Sequence, residues 1–163
     1  MDFNNIEKLK ESGFEGFETI SMLTKNKLLV PKEKGVYLIL SENKLSFVKQ
    51  GTGGFFKDKD PNVSINELEN NVIENTNVLY IGKAGKEGSK ASLQSRLNQY
   101  FKFGIGKKVG HWGGRYIWQI KEAENLIVCW KKLPNEEPRN VESQLIQEFK
   151  KQYNARPFAN LKD

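Results

Sequence analysis

The stretch 78-VLYIGKAG-85 decides the fold. Val78 to Gly82 reads as a short buried strand, and the glycines and Lys83 that follow stop it in a glycine turn. A phenol, Tyr80, and an ammonium, Lys83, are left beside that turn. A second run, 35-GVYLIL-40, reads as another buried strand and again carries a tyrosine, Tyr37, close to a glycine. In a strand a tyrosine is ordinarily a packing residue, and a lone lysine is ordinarily a solvated one. The two runs gain meaning only from what surrounds them.

Working outward, the spacing predicts a helix over Ser92 to Phe101, with Leu93, Leu97 and Phe101 on one side and Arg96 and Tyr100 together on a neighbouring face. Leu126 to Lys131 reads as a third strand. Pro138 suits a first helical turn and opens a helix to about Tyr153. On that helix Leu145, Ile146 and Phe149 form an apolar stripe that Glu142 continues, whereas Glu148 falls on the polar side. Burying an ionised carboxylate costs several kcal/mol unless donors or a cation compensate it. Glu142 therefore calls for either a structural salt bridge or a divalent metal, which a single carboxylate can hold together with waters and phosphate oxygens.

Between the first two strands lie the glycines Gly51, Gly53 and Gly54, and then Ser64-Ile65-Asn66-Glu67, a capping-box pattern that predicts a helix start. Phe3 to Leu9 fits a short helix, and Leu23 to Val30 is ambiguous. The stretch from Gly104 to Gly114 is a glycine-rich loop holding the one histidine, His111. Strands and helices in this order imply an α+β domain with a small sheet packed against helices.

At 163 residues, 37% hydrophobic and 28% charged, the chain is expected to build one globular core. Its longest apolar runs, such as Leu126 to Trp130, fall far short of the ~20 residues that span a bilayer. The beginning lacks a basic then apolar leader pattern, and the single cysteine, Cys129, reads as a small buried hydrophobe. Together these point to a reducing, cytoplasmic setting with no membrane partner. The net charge of +6 is uneven. Residues 1 to 78 carry ten basic against twelve acidic side chains, and residues 79 to 163 carry sixteen against eight. A basic half of this kind suits a polyanion such as DNA, because phosphate contacts release condensed counterions. A solvated lysine-rich surface is the plainer alternative.

Two tempting motifs fail. No G-x-x-x-x-G-K-[ST] register fits residues 82 to 90, which excludes a nucleotide-phosphate loop. The run Asp58-Lys59-Asp60-Pro61-Asn62 has Val63 where a calcium loop needs glycine.

Taken in order, Gly35-Val36-Tyr37, Leu79-Tyr80-Ile81-Gly82-Lys83-Ala84, Arg96-Leu97-Asn98-Gln99-Tyr100-Phe101, Glu142 and Asn160 resemble the GIY-YIG nuclease family, in the flavour of its bacterial excision-repair nuclease domains. The resemblance implies a three-stranded antiparallel sheet flanked by helices over residues 35–163. Residues 1–34 would be an N-terminal extension packed on that domain, and about 41–77 an insertion between the first two strands. It implies a DNA endonuclease using one Mg²⁺ or Mn²⁺ ion, held by Glu142. By position, Tyr37 and Tyr80 match the signature tyrosines, Lys83 the lysine after the second of them, and Arg96 the helix arginine. Tyr100 matches a tyrosine-or-histidine position and Asn160 the asparagine near the domain's end.

On that reading, Tyr80 orients or deprotonates the attacking water, with Lys83 and the metal favouring its phenolate, and Tyr37 supports it. Lys86, Lys90, Lys107, Lys108, His111 and Arg115 are the side chains expected to reach DNA, double-stranded or branched. One catalytic set per chain implies one strand cut at a time, so double-strand cleavage would need a homodimer or a partner protein. The alternative is a nucleic-acid-binding module that keeps the fold without the chemistry.

Overall fold

A computed structural model describes residues 1–162. Nine helices and strands follow in the order α1 (Ile6–Glu11), β1 (Glu15–Thr19), α2 (Ile20–Lys25), β2 (Gly35–Leu40), α3 (Ile65–Asn70), β3 (Val78–Ala84), α4 (Leu93–Gly104), β4 (Ile127–Lys132) and α5 (Pro138–Tyr153), with 3₁₀ turns between them, the longest over Trp112–Gln119. The domain is α+β. Its sheet is open and antiparallel, ordered β1-β4-β2-β3.

The sheet expected from the sequence has three strands, and this one has four. The extra strand, β1, comes from the N-terminal segment and pairs with β4 through a bulge at Gly16 to Glu18, where Phe17 takes φ 56°. Its residues, EGFET, are exposed or half-buried and lack the apolar run that marks the other strands. Pairing with a distant strand, not local pattern, makes it a strand.

Central β2 is buried along its whole length because both faces of the sheet are covered. One face carries Val36, Leu38, Ile81 and Cys129 against Phe3, Leu9 and the Leu145, Ile146, Phe149 stripe of α5. The other carries Tyr37, Ile39, Val128 and Trp130 against α2, α4 and the Trp112–Gln119 segment. Cys129 is fully buried, as expected, and burial pushes its thiol pKa up.

The segment 41–77 folds back onto the α4 side. Main-chain bonds join Val48 N–H to Gln119 O (2.9 Å), Thr52 N–H to Trp118 O (3.1 Å) and Gly54 N–H to Phe103 O (2.9 Å). Gln119, 1% exposed, zips this segment down with its side chain. Its Nε2 donates to the carbonyls of Val48, Lys49 and Val63, and its Oε1 accepts from Val63 N–H at 2.8 Å. At α3 only half of the expected capping box forms. Ser64 Oγ accepts from Glu67 N–H at 3.1 Å, but the Glu67 carboxylate accepts instead from the Tyr116 hydroxyl. Among the described residues no helix is long and apolar enough to cross a membrane.

Candidate active site

β3 is the edge strand beside β2, and its register places Tyr37 opposite Gly82. Gly82 lies within the strand, as its sequence suggests, and the Tyr37 ring lies over it. A Cβ there would sit 2.4 Å from Tyr37 Cζ and 2.6 Å from its hydroxyl. The strand continues to Ala84, and Gly85 makes the turn at φ +78°, which L side chains rarely adopt.

An edge strand lets side chains from both faces of a sheet meet beyond it. α4, started by a reciprocal Ser92–Ser95 capping box, brings Arg96 from one side. α5 brings Glu142 from the other. These two, with Tyr37, Tyr80, Lys83 and Lys86, line one polar cleft of about 360 Å³. Five of the seven residues carried over from the resemblance thus converge; Tyr100 and Asn160 stand outside the cleft.

Tyr37 is 1% exposed and Tyr80 half-buried, with ring centroids 6.0 Å apart. Burial, and then the Tyr80 phenol beside it, raises the Tyr37 pKa well above the ordinary phenol value, while Tyr37 acts to lower that of Tyr80. Burial nevertheless raises the Tyr80 pKa above the ordinary phenol value, and the Glu142 charge adds to the rise, against the lowering by Arg96 and Tyr37. Lys83, expected to favour the Tyr80 phenolate, acts elsewhere: its charge, with those of Arg96 and Arg139, stabilises the Glu142 carboxylate.

Those three cations do not outweigh burial, which raises the Glu142 pKa. Among the described residues no lysine or arginine nitrogen lies within ion-pair reach of Glu142, so the salt bridge that its stripe position suggested does not form. Nor is there, among those residues, a cluster of three metal-ligating side chains. A half-buried carboxylate without a direct partner, facing a polar cleft, suits a hard divalent cation that keeps most of its waters.

Asn160 grips the outer edge of β3. Its Oδ1 accepts from Ile81 N–H at 2.9 Å and its Nδ2 donates to Ile81 O at 2.8 Å, while Ala159 N–H bonds Leu79 O at 2.8 Å. Its amide is thus spent holding the strand that carries Tyr80. Tyr100 is fully buried, and its hydroxyl donates to Gly114 O at 2.7 Å. His111 stacks on Tyr100, with centroids 4.6 Å apart, and is only 2% exposed. Burial, with the nearby Arg96 charge, lowers its pKa to about 3 against a main-chain bond to Arg96 that raises it. The ring is neutral and lies beneath the surface, not on it.

The remaining basic candidates are dispersed. Lys86 lines the cleft and Lys90 the adjoining loop. Lys108 lies 3.5 Å from Asp58, and Arg115 stacks over Trp112 and Tyr116 at 4.6 and 5.3 Å. Lys107 faces a separate groove beside Lys102. Sequence reasoning passed over Gln119, since a glutamine in a buried turn leaves no periodic signal. No protein-family model, curated protein or solved structure matches the chain.

Proposed function

We propose that the chain is a divalent-metal-dependent endonuclease that hydrolyses DNA phosphodiester bonds in the cleft at the edge of β3, as its resemblance to GIY-YIG nucleases implies. The observation that carries this reading is the convergence of Tyr37, Tyr80, Lys83, Arg96 and Glu142, from four separate elements, on one polar cleft.

Arg96 and Lys86 neutralise the non-bridging oxygens of the scissile phosphate, whose charge must be stabilised as the water attacks. Tyr80, with the Tyr37 ring packed beside it, turns its O–H toward the attacking water. With its pKa raised, it orients that water as a neutral phenol in the protein by itself. Lys83 keeps Glu142 ionised. Glu142 would hold the divalent ion, which supplies Lewis acidity at the scissile phosphate and leaving oxygen. Asn160 positions Tyr80 through the strand and does not touch the substrate.

The raised Tyr80 phenol also favours a second reading, a DNA-binding module without chemistry. One assay separates the two. Purified protein with labelled supercoiled plasmid and Mg²⁺ or Mn²⁺ is expected to nick it, and EDTA or Glu142→Ala to abolish nicking while leaving DNA affinity within a few-fold. Unimpaired cutting by Glu142→Ala would remove the metal role. Folded, DNA-binding wild type that cuts no DNA structure would establish the binding module.

A further inference from the structure

The cleft described above lies on one side of α4, and the opposite side has a groove the proposed nuclease chemistry does not use. Two shallow clefts of about 280 and 380 Å³ lie side by side, with Thr24, Phe101 and Ile105 on the lining of both. At about 100° per helical residue, Asn98 and Ile105 stand roughly half a turn from Arg96. DNA held at Arg96 therefore leaves this groove open.

Its floor is apolar. Ile105, on the lining of both clefts, is 67% exposed. Around it stand Lys25, Lys27, Lys102 and Lys107. None of the four has an ion pair among the described residues, and Glu124 is the one acidic side chain on the lining. Uncompensated positive charge ringing an apolar floor selects the complementary surface: apolar anchors flanked by carboxylates.

Other occupants fit less well. A small polar metabolite needs convergent polar groups, which this floor lacks. Single-stranded nucleic acid needs exposed ring faces for its bases, but Phe101 and Trp118 are 6% and 5% exposed, and the protruding group is aliphatic. A second copy would oppose lysine rim to lysine rim if the same face met itself.

We propose that this groove docks an acidic amphipathic helix of a partner protein, its apolar residues spaced i, i+4, i+7 seated along Thr24, Phe101 and Ile105 and its carboxylates facing the four lysines. The site is independent of the endonuclease reading, since it shares no residue with that cleft.

The probe is a fluorescein-labelled peptide of Leu, Glu and Ala with leucines at i, i+4 and i+7, titrated with the full chain and read by fluorescence anisotropy. Binding should weaken at least ~tenfold for Ile105→Glu and for Lys102→Glu/Lys107→Glu, a loss that a tenfold change in Kd makes easy to resolve. Lys151→Glu, exposed on α5 across the sheet, should leave it unchanged. Ile105 is exposed enough that its variant should fold, and the lysine pair gives an independent check. Equal binding of a scrambled peptide, or binding indifferent to Ile105→Glu, would overturn the proposal. So would displacement of the peptide by a single-stranded oligonucleotide, or self-association through this face detected by sedimentation.

Discussion

Acidification should weaken this fold through one identifiable proton. His111 is the one histidine in the chain, is 2% exposed, and has a pKa lowered to about 3 by burial beside Arg96. Arg96 is near enough to lower its pKa, and the ring it stacks on is that of Tyr100. In the unfolded chain an imidazole titrates near 6.5. Between those two values the unfolded state binds a proton that the folded state does not. Stability is therefore fully present above about pH 6.5 and falls as the pH drops toward 3, by about 1.4 kcal/mol per pH unit. Integrated from pH 7 to pH 4, this one group removes about 3 kcal/mol, against typical domain stabilities of about 5–15 kcal/mol. Carboxylates titrate in the same range, so the measurement is a difference. Urea unfolding of wild type and His111→Phe, which keeps the ring stack on Tyr100, should show a stability gap that changes by about 3 kcal/mol between pH 7 and pH 4. The imidazole resonances in NMR belong to one residue and should not move between pH 7 and pH 5. A gap that stays constant with pH, or a folded imidazole titrating near 6.5, would refute the reasoning.

Three further outcomes follow from the cleft and its frame. Asn160→Ala leaves the Ile81 N–H and C=O without partners at a buried edge, and should cost about 2–4 kcal/mol in denaturant unfolding. A loss below about 0.5 kcal/mol would mean that water replaces the clamp. Gly82→Ala places a methyl 2.4 Å from the Tyr37 ring, so it should cost about 1–3 kcal/mol and shift the tyrosine ultraviolet signal; an unperturbed tyrosine spectrum would contradict the register. In single-turnover cleavage, Tyr37→Phe removes the hydroxyl that acts to lower the Tyr80 pKa and should slow cutting about threefold to tenfold, whereas Tyr80→Phe should slow it about 100-fold or more. The reverse order would exchange their roles.

The sequence revealed the elements that local pattern specifies. β2, β3 and β4 are short apolar runs because both faces of the sheet are buried, and α4 and α5 carry regular stripes, α5 opening on Pro138. β1 escaped because a charged, bulged edge strand has no apolar alternation, only a partner more than a hundred residues away. The misfit of Glu142 on an apolar stripe was legible from helical spacing alone. The placements of His111 and Asn160 were not. A histidine in a glycine-rich loop gives no sign of the ring it will lie against, and a terminal asparagine gives no sign of the strand edge that will use its amide as a peptide surrogate.

The sheet edge explains why a site can exist here. A bare edge strand invites pairing with another chain. Here the main-chain edge from Leu79 to Ile81 is sealed by Ala159 and Asn160, while the Tyr80 side chain and the part of the strand beyond Gly82 line the cleft. Sealing one half rigidifies the strand that holds Tyr80, and opening the other lets α4 and α5 contribute opposite charges from opposite faces. Had Arg96 or Lys83 closed to ion-pair distance on Glu142, the pair would have neutralised itself and left nothing for a ligand. Instead Lys83, Lys86 and Arg96 outnumber Glu142 across the cleft, and burial works against that carboxylate even with their help. Such an arrangement is costly when nothing is bound, and on the proposed endonuclease reading a phosphate on the cations and a divalent ion on the carboxylate would balance it.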